Sequence, residues 1–444
     1  MQTGQGAGGA PVASRWPRIG RWLRAVAAAM VLSGTYGVAP AAAQSPAAPP
    51  PAPPGSELTI SLMTMGVGPE VWERFGHNAL LVEDHASGTA RAYNYGLFDF
   101  RQENFLLRFV QGRMWYWMQG FDAEPMVRSY IRANRSVWVQ ELNLAPAQRR
   151  ALADFLAWNE RPENRFYRYD YYRDNCSTRV RDAIDRVLGG RVRAETDTIA
   201  TGKTYRWHTE RLAAPDVPLY TGLALALGQP ADRQLSAWDE MFLPLRLREW
   251  MRHVTVPGPN GQPVPLVVKE RTLYESTGPE PLAAPPHWLW GYLSTGVLLG
   301  AALWISVRRS ARSPRAGRAF AVLAAGWSLL VGVAGGILVG MWAFTDHVVT
   351  RHNENVLQAN LLLLPLVVLL PRLVRGAAWA RRPAVVLALA AAIASVVGLA
   401  LKLVPGFDQQ NADVLALILP VNLSLAAGVC WLAREMAAGR RKAV

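Results

Sequence analysis

Two regimes of hydrophobic patterning divide the chain near Trp288. Before it, apolar residues come in short bursts between turn residues; after it, they come in runs of about 20, long enough to cross a bilayer. In the first regime, Leu58–Thr64 reads as a strand, followed by the glycine-rich turn MGVGPE, with Pro69 placed to open a short helix. His77–Asp84 reads as a second strand, and ARAYNYGLFDF, beyond the turn HASGTA, as its partner. QENFLLRFVQGRMWYWM predicts a helix with an aromatic face, and Ser136–Leu144 a strand. Leu152, Phe155 and Leu156 fall at helical spacing, and FYRYDYY is an aromatic connection. It leads to the clearest element, a helix in which Val180, Ala183, Ile184, Val187 and Leu188 line one face. Gly189-Gly190 stops that helix, and Asp174 or Asn175 is suited to cap its start. Residues 191–287 predict only short helices broken by prolines.

In the second regime, five runs are expected to span a membrane: 288–307, 319–344, 356–374, 384–404 and 414–432. RRSARSPRAGR, RGAAWARR and REMAAGRRKAV are strongly basic, whereas TDHVVTRHNENV and PGFDQQNAD are not. Basic loops stay cytoplasmic, which puts residues 44–287 outside. The first 43 residues agree: Arg15, Arg18, Arg21 and Arg24 precede the apolar run Ala25–Val38, and Ala41-Ala42-Ala43 offers cleavage positions. The expected organisation is a signal peptide over 1–43, a Pro/Ala linker over 44–56, an external domain over 57–287, a five-helix membrane domain over 288–434 and a basic cytoplasmic tail over 435–444. This describes a bacterial inner-membrane protein with a periplasmic domain.

Charge changes one inference. The net charge of +14 would fit a polyanion partner, but it sits in the topogenic segments. Residues 44–287 carry 28 basic and 28 acidic side chains. No nucleic-acid partner is expected.

Candidate chemistry starts from cysteine. Of two cysteines, Cys430 falls in the last apolar run and Cys176 in the external domain, so no disulfide joins them. A lone thiol in an oxidising compartment marks a reactive group. Its place in the first turn of a helix favours an anion and is one way of lowering a thiol pKa. A thiolate nucleophile needs an imidazole, itself held by a polar group. His77 opens a strand right after Gly76, and Asn94 or Tyr95 on the partner strand can orient it. The bland alternatives are a small buried cysteine and a core histidine. His347 and His352 lack a carboxylate pattern for a metal, and GKT at Gly202 lacks the upstream glycine of a phosphate loop. No metal and no cofactor is expected.

SLMTMGVGPEVWERFGHNALLVED, YNYGLFDFRQENFLLRFVQGRMWYW and NERPENRFYRYDYYRDNCSTRVRD, in order, resemble the Lnb-type N-terminal periplasmic domain family. The resemblance covers most of residues 57–190. It implies a catalytic His and Cys, which map to His77 and Cys176. The His-before-Cys order is also similar to circularly permuted papain-like enzymes, including lecithin:retinol acyltransferase, which take an acyl chain from phospholipid as a thioester. The implied fold is therefore an α+β permuted papain-like external domain followed by an all-α bundle of about five transmembrane helices. The implied activity is acyl transfer from a membrane phospholipid through Cys176 to an amine, such as a lipoprotein N-terminus. A Cys-His hydrolase (peptidase, amidase or lipid esterase) shares the first half-reaction, and a non-catalytic membrane scaffold is the reading from another class. The external loop between the second and third runs offers Arg351, His352, His347 and Asn353 as substrate-binding residues, with Arg351 suited to a lipid phosphate. On that expectation the loop floors the cleft beneath Cys176.

Overall fold

Period-two alternation in the N-terminal half builds one antiparallel sheet. The computed structural model describes residues 52–438. The signal segment, linker residues 44–51 and tail residues 439–444 lie outside the described residues. The sheet strands are β1 (Leu58–Met65), β2 (His77–Asp84), β3 (Thr89–Leu97), β4 (Trp115–Asp122), β5 (Val137–Leu142), β6 (Phe166–Arg168) and β7 (Val267–Tyr274). Their spatial order is β7-β5-β1-β2-β3-β4-β6.

Both faces of the sheet are covered. Helices α3 (Pro146–Asn159) and α4 (Cys176–Val187) pack on the face carrying Leu62, Leu80, Tyr93, Tyr95 and Met118. Helix α2 (Ala123–Arg132) packs on the opposite face, against Met63, Ala79, Leu81 and Ala92. Val180, Ala183 and Ile184 of α4 are buried, as their spacing requires.

The expected helix over 102–118 is two elements. Only α1 (Phe105–Gln111) is helical; Gly112 ends it at φ 69°, and the aromatic run that follows is β4. Met114, Tyr116 and Met118 turn inward, and Trp115 is exposed. Aromatic side chains at period two fit a pleated strand better than a helix.

The second half is helical: α7 (Leu289–Arg309), α8 (Pro314–Phe344), α9 (Leu366–Val374), α10 (Ala378–Ala400) and α11 (Ala412–Ala437), numbered after α5 (Tyr205–Ala213) and α6 (Val217–Ala226). Four of these, or five spans if a bent pair counts as one, are long and apolar enough to cross a membrane. The architecture is thus an α/β domain on a sheet followed by four to five apolar helices.

The third expected span is a bent pair and not one helix. Residues Glu354–Leu363 form 3-10 turns, and α9 leaves them at 51°. Pro365 at the start of α9 supplies no N–H, and the turns carry Asn355 and Gln358. Gln358 Nε2 donates to the Ser395 carbonyl at 2.9 Å, and Asn422 Nδ2 donates to the Gln358 carbonyl at 3.1 Å. Irregular backbone at membrane depth is tolerated where protein satisfies it, as these side chains do here.

Helix α6, to which the sequence assigned no role, ties the two halves together. Tyr220 and Ala224 belong to the same apolar core as the membrane-length helices. Tyr220 Oη donates to Asp413 Oδ2 of α11 at 2.9 Å. The sheet domain is therefore welded to the bundle through buried contacts, and a single covalent tether understates the connection.

Candidate active site

Strand β2 begins at His77 because Gly76, at φ 81°, turns the chain into the sheet where Cβ-bearing residues rarely go. The imidazole meets Asn94 on β3, with Nε2 and Asn94 Oδ1 3.0 Å apart. Asn94 Nδ2 donates to the Ala92 carbonyl at 2.9 Å, which fixes the amide with its oxygen toward the ring. His77 therefore carries its proton on Nε2 and keeps the Nδ1 lone pair for a base. The Tyr130 ring of α2 lies nearly parallel to it, 6.5 Å away at 12°. Of the two orienting groups left open by the sequence, Asn94 is the one within hydrogen-bonding distance of the ring. Tyr95 points to the opposite face and donates to Asn159.

Cys176 is the first residue of α4, and Asn175, not Asp174, is its cap. Asn175 Oδ1 accepts from the Ser177 and Thr178 amides at 2.9 and 3.0 Å, and Nδ2 donates to the carbonyls of Tyr171 and Phe242. Asp174 pairs with Arg179. The Cys176 amide is left without a hydrogen bond to another residue among the described residues, and it stands beside the sulfur.

A break in the sheet admits the sulfur. The β2–β3 ladder stops at Ala79–Asn94, and the β3–β4 register shifts between Asn94 and Leu97. Within that shift Gly96 sits at φ 86°, and a Cβ built there would lie 3.4 Å from Cys176 Cβ. The N-terminus of α4 approaches β3 closely because this position is glycine. The Asn78 amide, one residue past the ladder and next to His77, is one of the groups that pull the thiol pKa down. His77 and Cys176 thus sit at one sheet end, flanking the same peptide. They do not hydrogen-bond to each other in this resting arrangement; such contacts tighten when substrate binds.

Electrostatics departs from the sequence expectation. Burial pushes the Cys176 thiol up to about 11, outweighing the Asn78, Ser177 and Cys176 amides and Arg135, which pull it down. The helix terminus acts in the expected direction, but desolvation of the anion is larger. Burial also lowers His77 to about 4; the Asn94 hydrogen bond opposes this and Arg135 adds to it. Thiol and imidazole are both neutral at rest. Each nevertheless retains a partly exposed surface.

Arg135 is the residue that sequence reasoning missed. Buried between α2 and β5, it pairs with Glu73 at 2.9 Å, donates to the Gly66 carbonyl and lies 4.8 Å over the Tyr130 ring. Its charge favours the thiolate and disfavours imidazolium. Nothing in RANRSVW distinguishes it, since the role comes from strands distant in sequence.

The loop residues fall outside this cluster. Asn353 is fully buried and donates to the carbonyls of Leu225 and Ala226, closing the end of α6, so its amide is not free for substrate. His347 meets the Phe109 carbonyl through Nε2 at 3.0 Å and stacks on Tyr171. It holds the loop to the sheet domain. Arg351 and His352 are exposed, and His352 packs beside Trp342. None of the four hydrogen-bonds or stacks with Cys176, His77 or Asn94. Tyr169 and Tyr171 stand between the loop and the thiol.

The site thus brings together a thiol at a capped helix start, an imidazole held by an asparagine and an unused amide beside the sulfur. No curated protein and no solved structure matches the chain. One protein family does, the Lnb N-terminal periplasmic domain, over residues 53–211, from β1 into α5. That span contains His77, Asn94, Arg135 and Cys176 and excludes every membrane-length helix. Residues 53–211 therefore match the Lnb N-terminal periplasmic domain family, on a chain that also carries four to five helices long and apolar enough to cross a membrane.

Proposed function

We propose that the protein is a membrane-anchored thiol acyltransferase of the bacterial inner membrane, with the sheet domain periplasmic and the C-terminus cytoplasmic. The observation that carries this reading is the thiol of Cys176, set beside its own unused amide and next to the oriented His77–Asn94 pair, on a domain fused to apolar helices through α6.

In the first half-reaction His77 Nδ1 takes the thiol proton as Cys176 Sγ attacks an ester carbonyl of a phospholipid. The oxyanion develops beside the Cys176 amide, whose N–H is available to stabilise it. Collapse breaks the ester C–O bond, and the leaving alkoxide takes the proton from His77. In the second half-reaction a neutral amine attacks the thioester carbonyl, His77 accepts a proton from the nitrogen, and the thiolate leaves and is reprotonated. An amide and the free enzyme result. The family suggests a lipoprotein N-terminus as the amine.

Because the resting thiol is neutral, it is protected from oxidation and is activated only when proton and carbonyl are handled together. The test is incubation of the full chain with labelled phospholipid. A hydroxylamine-sensitive acyl adduct on Cys176, discharged faster by an amine than by water, is the expected outcome. An adduct at another residue, or none during turnover, overturns the proposal. Discharge to water at the same rate with and without amine makes the enzyme a hydrolase.

A further inference from the structure

Helix α1 is short, yet Leu106, Leu107, Phe109 and Val110 are all exposed, Leu106 to 73%. Trp72 and Phe100, whose rings meet edge to face at 6.1 Å, extend the patch, and both are exposed. A soluble domain rarely leaves such a cluster in water.

What covers it follows from where α1 is attached. The helix packs against α8, a helix long and apolar enough to cross a membrane. The segment just beyond the end of α8 is fastened to it: the Asp346 amide donates to the Gln111 carbonyl at 2.8 Å, and His347 Nε2 meets the Phe109 carbonyl. Arg113 Nε pairs with Asp346 at 2.8 Å. Phe344, the last residue of α8, is 81% exposed. Helix α1 is therefore fixed beside the end of α8, a helix of membrane-crossing length, with its own apolar side chains exposed. Arg101, Arg108 and Arg113 lie at and beside α1, against Glu103 and Asp99 on the acidic side. A short helix with exposed leucine, phenylalanine and valine and neighbouring arginines suits the boundary between acyl chains and phosphate headgroups.

Behind α1, rings lead to the thiol. Phe105 stacks on Phe98, Phe98 on Tyr116 at 5.0 Å, and Tyr116 on Tyr169 at 4.2 Å. Tyr169 and Cys176 both approach Gly96.

We propose that α1 is an interfacial helix inserted into the outer surface of the bilayer, where it holds the aromatic approach to Cys176 against the phospholipid. The proposal deepens the acyltransferase reading by assigning the lipid-contacting surface, but its test does not depend on that chemistry. The full chain, with Cys176→Ala so that no acyl transfer occurs, is placed in nanodiscs of phosphatidylethanolamine and phosphatidylglycerol containing a phospholipid with a diazirine on its acyl chain. After illumination, adducts are mapped by mass spectrometry. The expected result is labelling within Phe105–Gln111 at a level comparable with the ends of α8, falling at least fivefold in L106E/V110E. Labelling confined to α7–α11 overturns the proposal, as does an unchanged level in the double variant or cross-linking of the patch only to the chain's own N-terminal residues. If α1 is labelled while the wild-type chain gives no acyl adduct on Cys176, the lipid surface stands and the acyltransferase reading alone fails.

Discussion

A thiol held at about 11 makes a specific claim about the reactivity of Cys176 toward a small alkylating reagent as pH is varied. At pH 7 a group with that pKa is thiolate at about one part in 10⁴, against a few per cent for an unperturbed thiol near 8.5. The deficit is about 300-fold. A more basic thiolate is also a better nucleophile, by about tenfold over this interval, so roughly 20- to 30-fold slower alkylation remains. The rate should rise about tenfold per pH unit from pH 7 to pH 10 without a plateau. Because burial keeps His77 neutral above about 4, the substitution H77Q should leave the rate between pH 7 and pH 9 within about twofold of wild type while abolishing turnover. The assay is iodoacetamide labelling of the detergent-solubilised chain, followed on the Cys176 peptide so that Cys430 does not contribute. A pH-independent plateau between pH 5 and pH 8 that disappears in H77Q would refute the argument. It would mean that thiolate and imidazolium already exist as a pair at rest, and that Arg135 and the helix amides outweigh burial.

Three further outcomes follow from the same geometry. Asn175→Ala removes a cap that closes two amides and two carbonyls in a buried setting, and should cost about 2–3 kcal/mol, read as a lower thermal midpoint in detergent together with loss of Cys176 acylation. Asn94→Ala releases the His77 ring and should lower kcat/KM about 5- to 30-fold, with the pH profile of turnover shifted because Nε2–H loses its acceptor; an unchanged profile would exclude the orienting role. Because the exposed Arg351 and His352 lie outside the thiol cluster, replacing both by alanine should leave acylation by phospholipid and alkylation of Cys176 at wild-type rates, and slowed acylation with unchanged alkylation would return the loop to the substrate site.

Much of the site was legible locally. The start, face and stop of α4 depend on neighbours within a few residues: a side-chain cap, an apolar repeat and a pair of glycines. His77 at a strand start and Asn94 on the next strand likewise follow from a turn and two short alternating runs. Local rules failed where two periods competed. MWYWM continues a helical run, and only its pairing with β3 and β6 makes it a strand. Length and hydropathy mark residues 356–374 as a span, but the side chains of Asn355 and Gln358 find partners on α6 and α10 that permit an irregular backbone there.

The sequence by itself determined which groups are chemically able to act: one external cysteine at a helix start, a histidine beside a glycine, an asparagine across the ladder, and apolar runs that need a bilayer. Tertiary structure decided what those groups become. It drew the sulfur into the gap opened by the shifted register at Gly96, set the buried Arg135 near it, and raised the thiol pKa that the helix terminus alone would lower. It also placed α1 beside the end of α8. A cap or a repeat is settled by atoms a few residues away, whereas desolvation and electrostatic field are sums over every element that happens to pack nearby, and no local stretch of sequence contains that sum.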